Sequence, residues 1–133
     1  MTGSYKLIIL WLLTLIGMVL HFNYHIGEIF YGIDVVRPDA DGKVPLGVFI
    51  IRTLFYHLPM VWIILLLYGK KSWIRLGLWI VAIGYSIAHL GHVIGELLNP
   101  ERNPSQISLL ILVFLVSAIL AFEHYAYWQH NRV

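Results

Sequence analysis

Two segments of this chain carry histidine and glutamate at spacings that place them on one face of a helix. They are His21, His25 and Glu28 in the first segment and His89, His92 and Glu96 in the second. At about 100° per residue, each set falls within an arc of about 60° on a helical wheel. Neutral imidazole and carboxylate are the usual protein ligands of iron, zinc and manganese. Each row could therefore supply one side of a metal site.

Both rows lie inside long apolar segments. The chain is 59% hydrophobic and 12% charged, whereas soluble domains are about 25% charged. An ionisable side chain within a membrane is costly, faces protein or a cavity, and usually marks a function. The net charge of +2 comes from residues at helix ends and loops, so we expect no nucleic-acid partner.

Four apolar segments are each long enough to cross about 30 Å of hydrocarbon. They cover about residues 5–30, 48–68, 72–98 and 105–128. We therefore predict an all-α membrane protein, with four transmembrane helices in one domain over residues 1–133. Short connections favour antiparallel neighbours in a four-helix bundle. The distribution of Lys and Arg predicts that both termini are cytoplasmic, and we expect a bacterial inner (plasma) membrane.

The two halves of the chain resemble each other. A histidine followed seven residues later by the glutamate of an Ile-Gly-Glu sequence occurs in the first and third segments, ending at Glu28 and Glu96. His57 and His124 hold similar positions in the second and fourth segments. This repetition suggests two duplicated antiparallel hairpins related by a pseudo-two-fold axis along the membrane normal.

The preferred hypothesis is a metal-dependent membrane enzyme. The six row residues would bind iron or zinc, as a mononuclear or dinuclear site, with His57 as a further ligand. Glu28 and Glu96 would bridge metals or act in catalysis, and Arg52 would pair with one of them, hold an anionic substrate group or extend to the headgroups. Activated water or dioxygen would act on an apolar or lipid-like substrate, in an oxidoreductase or hydrolase reaction. The chain has no cysteine, so thiolate ligands are excluded.

Three other classes of function remain open. Histidines on facing helices could bind haem b through two axial imidazoles, as in an electron-transfer protein. A buried His/Glu set could instead act as acid and base in a metal-free isomerase of lipid-like substrates, beside an apolar cavity with aromatic walls. A chain of this size could also be an accessory subunit of a larger membrane complex, or form a homo-oligomer.

The end of the fourth segment combines charged, histidine and aromatic residues. They are Glu123, His124, Tyr125, Tyr127, Trp128 and His130. Tyr and Trp concentrate at the two membrane–water interfaces. We therefore expect an interfacial belt here, separate from the candidate site.

Two short stretches resemble a known family. Ala88-His89-Leu90-Gly91-His92 and His25-Ile26-Gly27-Glu28 are similar to segments of the small four-helix bacterial membrane proteins named for an HXXEE motif. Ile29 stands where that motif has its second glutamate. The resemblance implies a small membrane protein with a His/Glu site, and it implies no particular activity.

Overall fold

The structure is a computed structural model, and it describes residues 3–36, 40–99 and 103–130. Across these residues it contains five α-helices and no strand. The helices are α1 (Gly3–Gly27), α2 (Leu46–Arg52), α3 (Leu58–Tyr68), α4 (Ser72–Leu98) and α5 (Pro104–His130). A π-helical turn, Thr53–His57, joins α2 and α3 into one continuous span.

Four helical stretches are long and apolar enough to cross a membrane. They are Gly3–Tyr31, Leu46–Tyr68, Ser72–Leu98 and Pro104–His130, and each begins and ends within two residues of its predicted limits. Large apolar side chains such as Ile16, Ile87 and Leu112 are more than half exposed, as expected of a surface that faces lipid. The predicted fold class is confirmed: the protein is an all-α, four-helix integral membrane protein.

The first span does not stay α-helical to Phe30, as the sequence had suggested. α1 ends at Gly27, and a 3₁₀ turn covers Glu28–Tyr31. Gly32 then adopts a φ of 77°, a left-handed conformation that only glycine takes at no steric cost, and it stops the helix. Glu28 consequently lies at the first position of the tighter turn, where its Oε2 remains 4.0 Å from Nδ1 of His25.

The second span departs from regular α-helical geometry in the turn that precedes Pro59. Proline has no N–H and its ring clashes with the carbonyl one turn earlier, so a regular α-helix cannot continue through it. The π-helical turn Thr53–His57 lies directly before this proline. A π turn has more residues per turn than an α-helix, so it changes the direction in which the following side chains point around the helix axis. His57 therefore does not keep the direction that continuous α-helical periodicity predicts.

α5 is the central helix of the bundle. α1 and α4 both pack along it, whereas no Cα atom described for α1 lies within 8 Å of one in α4. The second span rests mainly on α1 and touches α4 only slightly. The two hairpins are thus packed unequally, and their duplication stays a hypothesis.

α1 and α5 approach each other closely at one glycine. A Cβ atom added to Gly17 would lie 2.3 Å from Cγ2 of Val113 on α5. Small residues at such crossings allow membrane helices to pack tightly. The core next to this crossing contains Leu7, Trp11 and Leu120, all fully buried.

Candidate functional site

Three imidazole rings from two different spans meet between α1 and α4, with His21 buried and His25 exposed. The centroid of the His21 ring lies 4.7 Å from that of His25 and 4.7 Å from that of His92. The ring planes are inclined by 75° and 89° respectively. The two rows recognised in the sequence therefore meet at His21 and His92. We call His21, His25 and His92 the ring cluster.

The ring cluster forms because α1 and α4 flank α5 without touching each other's backbone. His21 and His25 are one turn apart on α1 and project from the same side of it. His92 reaches towards them from α4, so side chains alone bridge the two helices. His21 is only 6% exposed, and His92 is half-buried.

A polar network at the start of α5 holds Glu28. The side-chain oxygen of Asn103 accepts hydrogen bonds from the backbone N–H groups of Ser105 and Gln106, at 3.0 and 3.3 Å, and so caps the helix. The amide nitrogen of the same Asn103 donates to Oε1 of Glu28 at 2.7 Å. The Gln106 amide donates to the same carboxylate oxygen at 3.4 Å. The helix cap thus also positions the predicted acidic ligand.

Gln106 connects this network to the ring cluster. Its Nε2 donates to Nδ1 of His25 at 2.9 Å, and the side chain is fully buried. Because Nδ1 accepts this bond, the neutral ring of His25 carries its proton on Nε2. Oε1 of Gln106 is buried and has no hydrogen-bond partner within the described residues. Turning the amide over would let Oε1 accept from Nδ1–H and leave Nε2 of His25 free to bind a ligand, with loss of the hydrogen bond from Gln106 to Glu28.

His89 lies on the same helix as His92 but faces an aromatic environment. Its ring is 5.3 Å from that of Phe55 and 6.2 Å from that of Tyr85, measured between centroids. His89 is fully buried, and neither of its ring nitrogens has a hydrogen-bond partner in the described part of the chain. Leaving a buried polar group unpaired costs about 1–3 kcal/mol. His89 is therefore a group whose ring nitrogens remain available for chemistry.

The other predicted site residues occupy different surroundings. Glu96 is half-buried on α4 and interacts electrostatically with His92. His57 and Arg52 are exposed, and they line a separate pocket with Phe22 and Tyr56. Across the described residues, the structure shows no contact between His57 and the ring cluster.

The ring cluster is close to the dimensions of a metal site without being assembled as one. Two imidazoles that bind one zinc ion at about 2.0–2.1 Å hold their centroids roughly 5 Å apart. The separations of 4.7 Å match this spacing. Even so, no three His, Asp or Glu side chains in the described ranges are arranged so that they could hold an ion. Metal binding would require the rings to turn until their nitrogens converge.

An apolar cavity lies beside His89, between the second span and α4. Its volume is about 320 Å³, and residues 54–62 and 81–88 contribute its walls. Phe55 and Tyr85, which contact His89, form part of the lining, together with Trp62. The hydroxyl of Tyr85 donates to the backbone carbonyl of Leu54, which fixes the phenol ring across the gap. The cavity would accept an apolar molecule.

A second buried polar centre lies towards the other end of the bundle. Nε1 of Trp11 donates a 3.0 Å hydrogen bond to Nε2 of His124, and both residues are fully buried. The expectation of an interfacial belt is therefore wrong for His124, because Trp11 on α1 covers it. Nearby Glu123 forms an ion pair with Lys6.

Three contacts with the predicted site or with other histidines were not predicted from the sequence. Gln106, Asn103 and Trp11 contact predicted site or histidine residues only after α1 and α5 pack together. One feature of the sequence could have indicated a role for Gln106: it is an amide near the start of an otherwise apolar span. Buried amides in membrane helices bind neighbouring helices through hydrogen bonds.

Comparison of this chain with protein families, with curated proteins and with solved structures finds no match.

Proposed function

We propose that this protein is a membrane-embedded metalloenzyme whose ion is bound by the ring cluster. The observation that supports this proposal is the meeting of three imidazoles from α1 and α4 at centroid distances of 4.7 Å. Iron or zinc suits an imidazole and carboxylate site of this kind. Glu28 and Glu96 are the carboxylates available to complete the coordination.

The ion would bind by reorganising side chains that are already adjacent. Rotation of the ring cluster would bring one nitrogen of each histidine to the ion. Reversal of the Gln106 amide would then fix His25 with its Nδ1–H donated to oxygen, which is the usual orientation of a metal-bound histidine. The buried and unpartnered Oε1 of Gln106 supports this step.

The substrate would be an apolar or lipid-like molecule that enters from the membrane. The cavity of about 320 Å³ has apolar and aromatic walls and lies beside His89. The ring cluster would hold the ion, which would supply Lewis-acid chemistry to a substrate bound in this cavity. His89 has two unpartnered ring nitrogens and would accept or donate a proton there.

Metal-free acid–base catalysis is the second candidate, and the cavity favours it specifically. A buried imidazole beside an apolar cavity lined by Phe55, Trp62 and Tyr85 suits proton transfer to and from an unsaturated lipid-like molecule. Aromatic faces would stabilise a cationic intermediate. Activity that survives complete removal of metal would favour this candidate.

The haem hypothesis is less well supported by the geometry. Two axial imidazoles must stand on opposite faces of one macrocycle, whereas the rings of His21 and His92 touch directly.

The proposal can be tested by titrating the metal-free protein with Co²⁺, which reports its coordination through visible absorption. Wild-type protein in detergent should develop saturable bands typical of nitrogen and oxygen coordination, and His92→Ala should lose them. His130→Ala is the matched control, because His130 is an exposed histidine at the far end of α5. Absence of saturable bands in the wild type, or equal spectra for both variants, would contradict the proposal.

A further inference from the structure

Three cationic or hydrogen-bonding side chains of the second span share a pocket on the surface of the bundle. Arg52, Tyr56 and His57 line it together with Phe22 of α1, and its volume is about 260 Å³. The hydroxyl of Tyr56 donates to the backbone carbonyl of Met18 at 3.4 Å, which ties this part of the span to α1. We call Arg52, Tyr56 and His57 the basic pocket.

Arg52 and His57 have no counter-charge in the described part of the protein. Both side chains are exposed, and neither forms a hydrogen bond or an ion pair with the residues that the structure describes. Counted from Leu46 at 1.5 Å per residue, they lie about 9 and 16 Å into the span. A charged residue at such depth costs several kcal/mol unless a partner is provided.

The irregular turn of the helix is what brings the two side chains into one pocket. In a regular α-helix, His57 would follow Arg52 by about 140° around the axis. The π-helical turn Thr53–His57 reduces this angle, and both residues line the same cavity. π turns are retained in helices mostly at functional sites.

We propose that the basic pocket binds the phosphate group of an anionic membrane lipid. Guanidinium binds phosphate through two parallel charge-assisted hydrogen bonds, and the His57 ring adds an N–H donor. Tyr56 lines the same pocket, so its phenol lies beside the same phosphate position. Phe22 supplies an apolar wall against which the glycerol and the first part of the acyl chains would lie.

A lipid phosphate is favoured over other anions by position and polarity. The pocket lies in the first half of the second span, and the long Arg52 side chain can extend from it towards the headgroups. Among the described residues, the carboxylate of Glu28 is held by Asn103 and Gln106 and forms no ion pair with Arg52. This inference does not depend on the proposed metal function.

The test is native mass spectrometry of the detergent-purified protein with 1-palmitoyl-2-oleoyl phosphatidylglycerol and with the matching phosphatidylcholine. Wild-type protein should retain phosphatidylglycerol preferentially. Arg52→Gln should reduce that retention about tenfold, the effect of losing a hydrogen bond to a charged group. His57→Gln should reduce it less, because only one donor changes.

Lys43→Gln is the matched control, because it removes one positive charge from the exposed loop just before α2. It should leave phosphatidylglycerol retention unchanged. Equal losses in Arg52→Gln and Lys43→Gln, or no preference for phosphatidylglycerol in the wild type, would overturn the proposal. Displacement of the lipid by millimolar inorganic phosphate would also overturn the proposal, because the pocket would then bind a free anion and not a lipid headgroup. The wild-type comparison is decisive even if Arg52→Gln fails to fold.

Discussion

Trp11 and His124 are joined by a 3.0 Å hydrogen bond in which the indole Nε1–H donates to Nε2 of the imidazole. An indole can only donate, so the neutral His124 ring must carry its proton on Nδ1. The bond links α1 to α5 about ten residues, or roughly 15 Å, below His21. It therefore fixes the two helices that carry His21, His25 and Gln106 relative to each other.

Removing the indole donor should destabilise the bundle. We expect Trp11→Phe to lower the free energy of unfolding by about 1–3 kcal/mol, because Nε2 of His124 is left buried and unpaired. Thermal melting in detergent measures the change, and Trp73→Phe, at a largely exposed tryptophan, is the control. A double-mutant cycle with His124→Leu should show coupling of about 1 kcal/mol, and purely additive effects would contradict the assignment.

The crossing of α1 and α5 should not tolerate a methyl group at Gly17. Its Cβ would lie 2.3 Å from Cγ2 of Val113, so Gly17→Ala should destabilise the protein by about 1–3 kcal/mol despite the higher helix propensity of alanine. Val113→Ala should restore much of the loss in the double variant. Gly91→Ala is the control, because no other atom lies within 4 Å of its added Cβ. Equal melting temperatures for the two single variants would refute this close packing.

The helical spans and their His/Glu rows could be predicted from the sequence because hydrophobic length and a 3.6-residue period are local properties. The contacts of Gln106 with His25 and Glu28 could not, because they form only after α5 packs between α1 and α4. His57 was predicted as a further ligand from its depth in the second span, whereas the structure places it in a separate pocket with Arg52 and Tyr56. His124 was placed at the membrane interface by its position in the span, whereas Trp11 buries it.

Gln106 should control metal affinity without being a ligand. Gln106→Leu removes the amide that contacts Nδ1 of His25 and Oε1 of Glu28, so we expect affinity to fall about 10–100-fold. Gln106→Glu should retain or raise affinity, because its carboxylate accepts from Nδ1–H and leaves Nε2 of His25 free. Competitive titration with a chromophoric chelator measures the metal affinity of each variant. Gln129→Leu, the same change near the opposite end of α5, should have no effect.

A side chain at Gly84 should close the apolar cavity. Gly84 lines it, and apart from its own helix backbone no atom lies within 4 Å of an added Cβ, so a larger side chain can begin there and extend into the cavity. We expect photo-crosslinking of a diazirine-labelled fatty acid to residues 54–62 to fall about tenfold, because the leucine occupies the binding space. Gly91→Leu, two turns further along α4, should crosslink as the wild type does. Crosslinks spread evenly over all lipid-facing surfaces, and insensitive to Gly84→Leu, would show that no apolar ligand enters there.

The most direct test of the metal proposal is elemental analysis of the purified protein after loading with Zn²⁺ or Fe²⁺ and removal of free ion. The wild type should retain about one ion per chain, as expected of a site closed by three imidazoles. His21→Ala and His92→Ala should retain almost none, whereas His57→Gln and His130→Ala should match the wild type. Wild-type protein that retains no metal, or that retains the same amount as His21→Ala and His92→Ala, would contradict the proposal.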